Sequence, residues 1–217
     1  MSQAETGSGL RHHLARHAYD RLLLLSDGVF AIALTLAALE IRPPHGSTAA
    51  GATAVELMQA MAGPLLAYAI SFLVIGAFWL AHRRMLALFE RVDPGAAMLN
   101  LLVLGLVALQ PAGVGLLMSG ALGEGALKVY LGLTALTGFA QAALWGYAAF
   151  VARLLRPEVG KAYRWMQFVV TLGLPALASG LALFATRTGS GWLVLGVFVF
   201  LIVLAVARHR ISRRLGV

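Results

Sequence analysis

No cysteine occurs anywhere in the 217 residues. That excludes disulfides, thiolate metal centres and a cysteine nucleophile, and it leaves the compartment open. Charge is scarce too: only 12% of residues are charged against 60% hydrophobic, and the mean hydropathy is +0.83. A chain of this composition cannot hide its apolar surface inside one ordinary water-soluble core, so lipid must be its main solvent. Also missing are a glycine-rich loop joining strand to helix, which removes a nucleotide site, and any repeat period of about 20 to 50 residues. Residues 1–20 are polar and basic and lack an apolar core followed by a small-residue cleavage site, so no cleaved signal peptide is expected.

What is present is long charge-poor runs. A bilayer core about 30 Å thick needs about 20 apolar residues per helical crossing, and six stretches qualify, at about 22–41, 57–81, 96–118, 127–151, 168–186 and 192–207. Helices are expected because an open strand edge cannot be satisfied in lipid, and the alternation of an outer-membrane barrel is missing. The expected fold is therefore all-α, an integral membrane protein with six transmembrane helices. Residues 1–20 form an N-terminal tail, 21–207 the membrane domain and 208–217 a basic tail, and the connectors are too short for a separate soluble domain.

The net charge of +8 becomes a topology signal once its positions are read. Arg11, Arg16 and Arg21 precede span one, Arg83, Arg84 and Arg91 follow span two, Arg153, Arg156, Lys161 and Arg164 follow span four, and Arg208, Arg210, Arg213 and Arg214 follow span six. Only Arg42, Lys128 and Arg187 lie on the other side. The positive-inside rule then puts both termini in the cytoplasm, and a nucleic-acid partner is not expected. Pro43 and Pro44 stop helix one at the outer surface. Gly63 and Pro64 kink helix two or delay its start, and Pro111 and Pro175 fall inside spans three and five. Gly132, Gly138, Gly173 and Gly180 are expected to permit close helix packing. His12, His13 and His17 belong to the solvated tail, and Glu90 and Asp93 balance nearby arginines.

Helix one carries the most informative pattern. Asp27 lies more than a turn inside its cytoplasmic end, where an unpaired carboxylate costs several kcal/mol. Arg21 is the nearest partner in sequence, but six positions put it about 120° around the helix. The antiparallel course of spans two and three brings Trp79, His82 and Asn100 to about the depth of Ser26 and Asp27. A buried polar network of Ser26, Asp27, Trp79, His82 and Asn100, with Arg21 at its wet edge, is the expectation. Taking Ile32 as zero, Gly28, Thr35, Leu36 and Leu39 fall within about 60° of it, whereas Asp27 and Ser26 fall at about −140° and +120°. One face braces the helix against its own subunit and the other is left for a different neighbour.

The motif Arg21, Leu25-Ser26-Asp27, Ala31-Ile32, Thr35, Leu39 and Ile41 resembles the signature of the transmembrane protein 175 family of potassium channels, with Leu25 where phenylalanine is usual. The resemblance continues through Ser71-Phe72, Ile75, Trp79, His82, Asn100 and Pro111. It implies a homotetramer in a prokaryotic plasma membrane, passing potassium through a pore lined by helix one of each subunit. It maps an apolar gate onto Ile32, a selectivity-associated hydroxyl ring onto Thr35 and a second apolar layer onto Leu39, with Leu36 as the alternate layer if the helix is rotated. Potassium would be transient at Thr35, and no cofactor or resident metal is implied. Glu40 and the carbonyl end of helix one would make the outer mouth electronegative. Proton conduction through Asp27 and His82, and small-solute transport, are the alternatives. No nucleophile-base pair or matched carboxylates support an enzyme.

Overall fold

The computed structural model describes residues 3–41, 53–119 and 124–188, with the side chains of residues 3–16 and most of those beyond 176 outside the description. Five helices follow one another: α1 (Gln3–Leu39), α2 (Ala54–Leu86), α3 (Pro94–Ser119), α4 (Glu124–Gly146) and α5 (Lys161–Thr188). Segments His17–Leu39, Ala54–Leu86, Pro94–Leu117 and Gly125–Val151 are long and apolar enough to cross a membrane. The expected fifth span, 168–186, falls within α5. The expected sixth, 192–207, the tail 208–217 and the loop holding Arg42, Pro43 and Pro44 lie outside the described residues.

Helix starts differ from the hydropathic edges for local reasons. The helix that carries span one begins at Gln3, so the polar tail and the membrane segment are one continuous rod. Helix α2 starts at Ala54, ahead of Gly63 and Pro64, which delay nothing. Thr53 caps it in a reciprocal box: Glu56 N–H donates to Thr53 Oγ1 at 3.3 Å, and Thr53 N–H donates to Glu56 Oε2 at 2.8 Å. Two otherwise orphaned N–H groups are satisfied there, and Pro64 is absorbed in the helix interior.

Asp93 does more than balance charge. Its Oδ1 accepts from Ala96 N–H at 2.7 Å, and its Oδ2 accepts from Tyr147 Oη at 2.9 Å. Pro94 at the first helical position then costs no hydrogen bond. Helix α4 ends at Gly146 and continues as a single π-helical turn, Tyr147–Val151, so the membrane segment runs Gly125–Val151.

The turns after α2 and after α4 meet at the same end of the bundle. Phe89 and Leu155 pair as an isolated antiparallel bridge, with Glu90 N–H on Leu154 O at 2.8 Å and Arg156 N–H on Leu88 O at 3.0 Å. Phe89, Leu154, Leu155 and Val159 are buried beneath it. Tyr19 Oη donates to Leu86 O at 2.9 Å, which ties α1 into the same layer.

Helix α3 is central, packed against α4, α1 and α2, and α5 packs against α4. Helix α1 is thus an edge element with one side uncovered. Among the four glycines expected to mediate packing, only Gly138 does so within the described residues, where a Cβ would strike the Pro175 ring of α5. Gly132, Gly173 and Gly180 meet nothing within 4 Å.

Candidate pore helix and its polar brace

The inner face of α1 is made by Ser26, Phe30, Ala33 and Ala37, all buried. At 100° per residue these four cluster about 130° from Ile32. Alanines at the crossing let the α1 and α3 backbones approach, which is how helices associate where lipid provides no hydrophobic drive. The opposite face holds Gly28, Ile32, Thr35, Leu36 and Leu39, all exposed, Ile32 at 58% and Leu39 at 70%. Leu36 is less exposed, at 42%, because it lies closer to the buried arc.

Thr35 Oγ1 donates to the backbone of its own preceding turn, with Ala31 O at 3.1 Å and Ile32 O at 2.9 Å. Its proton is thereby committed inward while the oxygen lone pairs stay available on the exposed face. Glu40 turns away from the stripe and lies over α3, where a methyl added to Gly115 would sit 2.5 Å from Glu40 Oε2.

The polar residues at the other end of α1 separate into two pairs. Trp79 Nε1 donates to Asp27 Oδ1 at 2.8 Å. Asn100 Nδ2 donates to Ser26 Oγ at 3.2 Å, and Ser26 Oγ donates in turn to Leu22 O at 2.8 Å. Ser26 and Asn100 are buried, but Asp27 is exposed at the rim, not inside the subunit. Its position about 90° from the centre of the buried arc accounts for that. His82 is buried with its ring 5.4 Å from that of Phe30; Asn100 and Asp27 are its polar neighbours, but neither meets full hydrogen-bond geometry with a ring nitrogen. No hydrogen bond among the described residues links it to Asp27.

Arg21 is exposed and joins none of these pairs. Six residues below Asp27 it lies about 9 Å lower as well as off to the side. The cation at the brace is Arg83, whose guanidinium carbon sits 5.5 Å from the centroid of the Trp79 ring. The sequence carried that signal, since Arg83 follows Trp79 by four positions and so shares its helix face. A second buried polar set also escaped sequence reasoning: Gln110 Nε2 donates to Thr137 Oγ1 at 3.1 Å, and Thr134 Oγ1 lies 3.5 Å from Gln110 Oε1. A glutamine in the middle of an apolar span was its flag.

Comparison with known proteins gives one consistent result. Residues 21–111 match the family described as endosomal/lysosomal potassium channel TMEM175. A potassium channel of Streptomyces collinus is 35% identical over 170 residues, 75% of this chain and 81% of that protein. A potassium channel of Chamaesiphon minutus is 33% identical over 185 residues, 82% of this chain and 88% of that protein. The crystal structure of a lysosomal potassium-selective channel TMEM175 homolog from Chamaesiphon minutus superposes with a TM-score of 0.69 at 29% identity, covering 88% of this chain and 98% of that one.

Proposed function

The chain belongs to the TMEM175 family of potassium channels, and on that premise we propose that it conducts potassium through a pore lined by α1. The family is one of ion channels and not of enzymes. The observation that carries the reading is the exposed stripe of Ile32, Thr35 and Leu39 on a helix whose opposite face is braced by Ser26, Phe30, Ala33 and Ala37.

One subunit supplies one such stripe, so enclosing a pore requires symmetry-related copies, and four is the assembly adopted. Ile32 forms the gate, where a ring of aliphatic side chains closes a narrow path by contact and dewetting. The Thr35 oxygens replace part of the potassium hydration shell, and Leu39 forms a second apolar layer, with Leu36 flanking it. Glu40 contributes to the outer mouth as a negative charge near the carbonyl end of α1 rather than as a pore-lining group. Asp27 and Ser26 hold the helix through Trp79 and Asn100. The membrane is the prokaryotic plasma membrane, crossed by six helices, with both termini and the joined turns of 87–93 and 152–160 on the cytoplasmic side.

Reconstitution into potassium-loaded liposomes tests this. Ile32→Asn should raise potassium flux by opening a wettable path, and unchanged flux would remove Ile32 from the gate. Flux carried by protons alone would reject potassium as the permeant ion.

A further inference from the structure

We propose that the exposed, cytoplasm-facing surface of the α4–α5 turn is a binding site for one anionic phospholipid, with its phosphate between Arg153 and Lys161 and its acyl chain along α5. It rests on the membrane orientation given above and not on which ion passes through the pore.

Arg153 is the first observation. Among the described residues it alone, apart from glycines, has a positive φ, at 53°, a conformation that glycine or asparagine occupies at lower cost. The backbone is held there from both sides: Ala152 N–H bonds Tyr147 O at 2.9 Å and Leu154 N–H bonds Ala148 O at 2.8 Å. Leu154 and Leu155 are buried beneath the turn, while the Arg153 side chain is exposed. The strained turn thus presents an exposed cation at a position where glycine or asparagine would cost the backbone less.

The second observation is independent and lies on α5. Lys161, Trp165 and Val169 follow one another at intervals of four and so share a face, with Trp165 at 58% and Val169 at 62% exposed. Cation, indole, then aliphatic is the order in which a phospholipid presents phosphate, glycerol region and chain. Phe150 joins this face to Arg153: its ring lies 4.5 Å from that of Trp165 and 5.6 Å from that of Phe168, and Val151 beside it is 72% exposed. The three rings form one cluster, and Arg153 follows Phe150 by three residues. Glu158 is the one acidic residue of the turn, set against Arg153, Arg156, Lys161 and Arg164. Arg164 is already engaged, with Nε on Val159 O at 3.0 Å.

The full chain, purified in neutral detergent, is titrated with phosphatidylglycerol or phosphatidylcholine, and retained lipid is counted by native mass spectrometry. The wild type should prefer phosphatidylglycerol, and Arg153→Gly should weaken that preference about fivefold, the factor expected for one basic residue at an anionic surface. Lys161→Gln should do likewise, with Arg84→Gln as the control that leaves it unchanged. Because glycine relieves the strained φ, Arg153→Gly should not lower the thermal midpoint, so lost lipid cannot be ascribed to unfolding. Should that variant misfold, Arg153→Asn, which tolerates the same φ, carries the test. An unchanged preference overturns the proposal, as does displacement of the lipid by inorganic phosphate at matched concentration, which would mark a free-anion site. A loss of oligomer on Trp165→Ala with lipid retention intact overturns it in favour of a subunit contact. Potassium flux in phosphatidylcholine vesicles is read separately, so failure of the channel reading leaves the lipid result standing.

Discussion

The two faces of α1 invert the arrangement of a water-soluble helix. Its buried side is built from Ser26, Ala33 and Ala37 with one aromatic residue, Phe30, while the large aliphatics Ile32, Leu36 and Leu39 are exposed. In water the opposite distribution would win, because each exposed leucine would forfeit about 1.5–3 kcal/mol of burial. In lipid that term vanishes between helices, and small residues are placed where backbones must approach. The exposed aliphatics are then free to serve an assembly, so each face has its own mutational phenotype.

The largest expected contrast compares Ala37→Leu with Leu39→Ala. Ala37 has no free surface in the α1–α3 core, so added methylenes must displace neighbours, at about 1–3 kcal/mol. The thermal midpoint of the detergent-solubilised protein should fall accordingly. Leu39→Ala should leave subunit unfolding, followed by circular dichroism, within about 0.5 kcal/mol, while changing oligomer elution and potassium flux. Equal loss of helical stability in both variants would break the distinction between a braced face and a free one.

Much of this architecture is legible in the sequence, for reasons particular residues make clear. Apolar runs locate the helices because the bilayer imposes a length, and the angular positions of Ile32, Thr35 and Leu39 place them together without any structure. Helix ends are less legible because they obey local chemistry: the Thr53–Glu56 box and the Asp93 cap are short polar motifs that a hydropathic edge overlooks. Asp27 lies nearly opposite Ile32 and so reads as buried, but the buried arc is centred about 130° from Ile32 and not at 180°, which leaves Asp27 about 90° off it, at the rim. In the count of basic residues Arg83 carries only topology. Its position over Trp79 depends on helix phase, which a count of basic residues discards.

An intermediate effect separates two hydroxyls on the two faces. Ser26→Ala removes the oxygen that accepts from Asn100, and an interhelical hydrogen bond of this kind contributes about 0.6 kcal/mol, with about 1.7 as the upper end. Thr35→Val removes a hydroxyl bonded only to its own helix turn and should cost the fold less, while altering the potassium-to-sodium flux ratio. A double-mutant cycle of Ser26→Ala with Asn100→Leu measured by thermal unfolding should show coupling, and Thr35→Val with Asn100→Leu should show none. Coupling in the second cycle would mean that the faces are not independent.

The most local effect, read at a single indole proton, discriminates between Arg83 and Arg21. Arg83 lies over the Trp79 ring whose Nε1–H is held by Asp27, and an exposed cation–π contact contributes about 0.5–1 kcal/mol. Arg21 touches neither group. Arg83→Gln should therefore accelerate hydrogen exchange at the Trp79 indole, because the ring that donates to Asp27 loses the cation lying over it, whereas Arg21→Gln should leave that exchange unchanged. The indole signal is assigned by comparison with Trp79→Phe, since the chain holds four tryptophans. Faster exchange in Arg21→Gln alone would restore Arg21 to the brace and require α1 to be rotated relative to α2, carrying Ile32 and Thr35 off the face on which the pore reading depends.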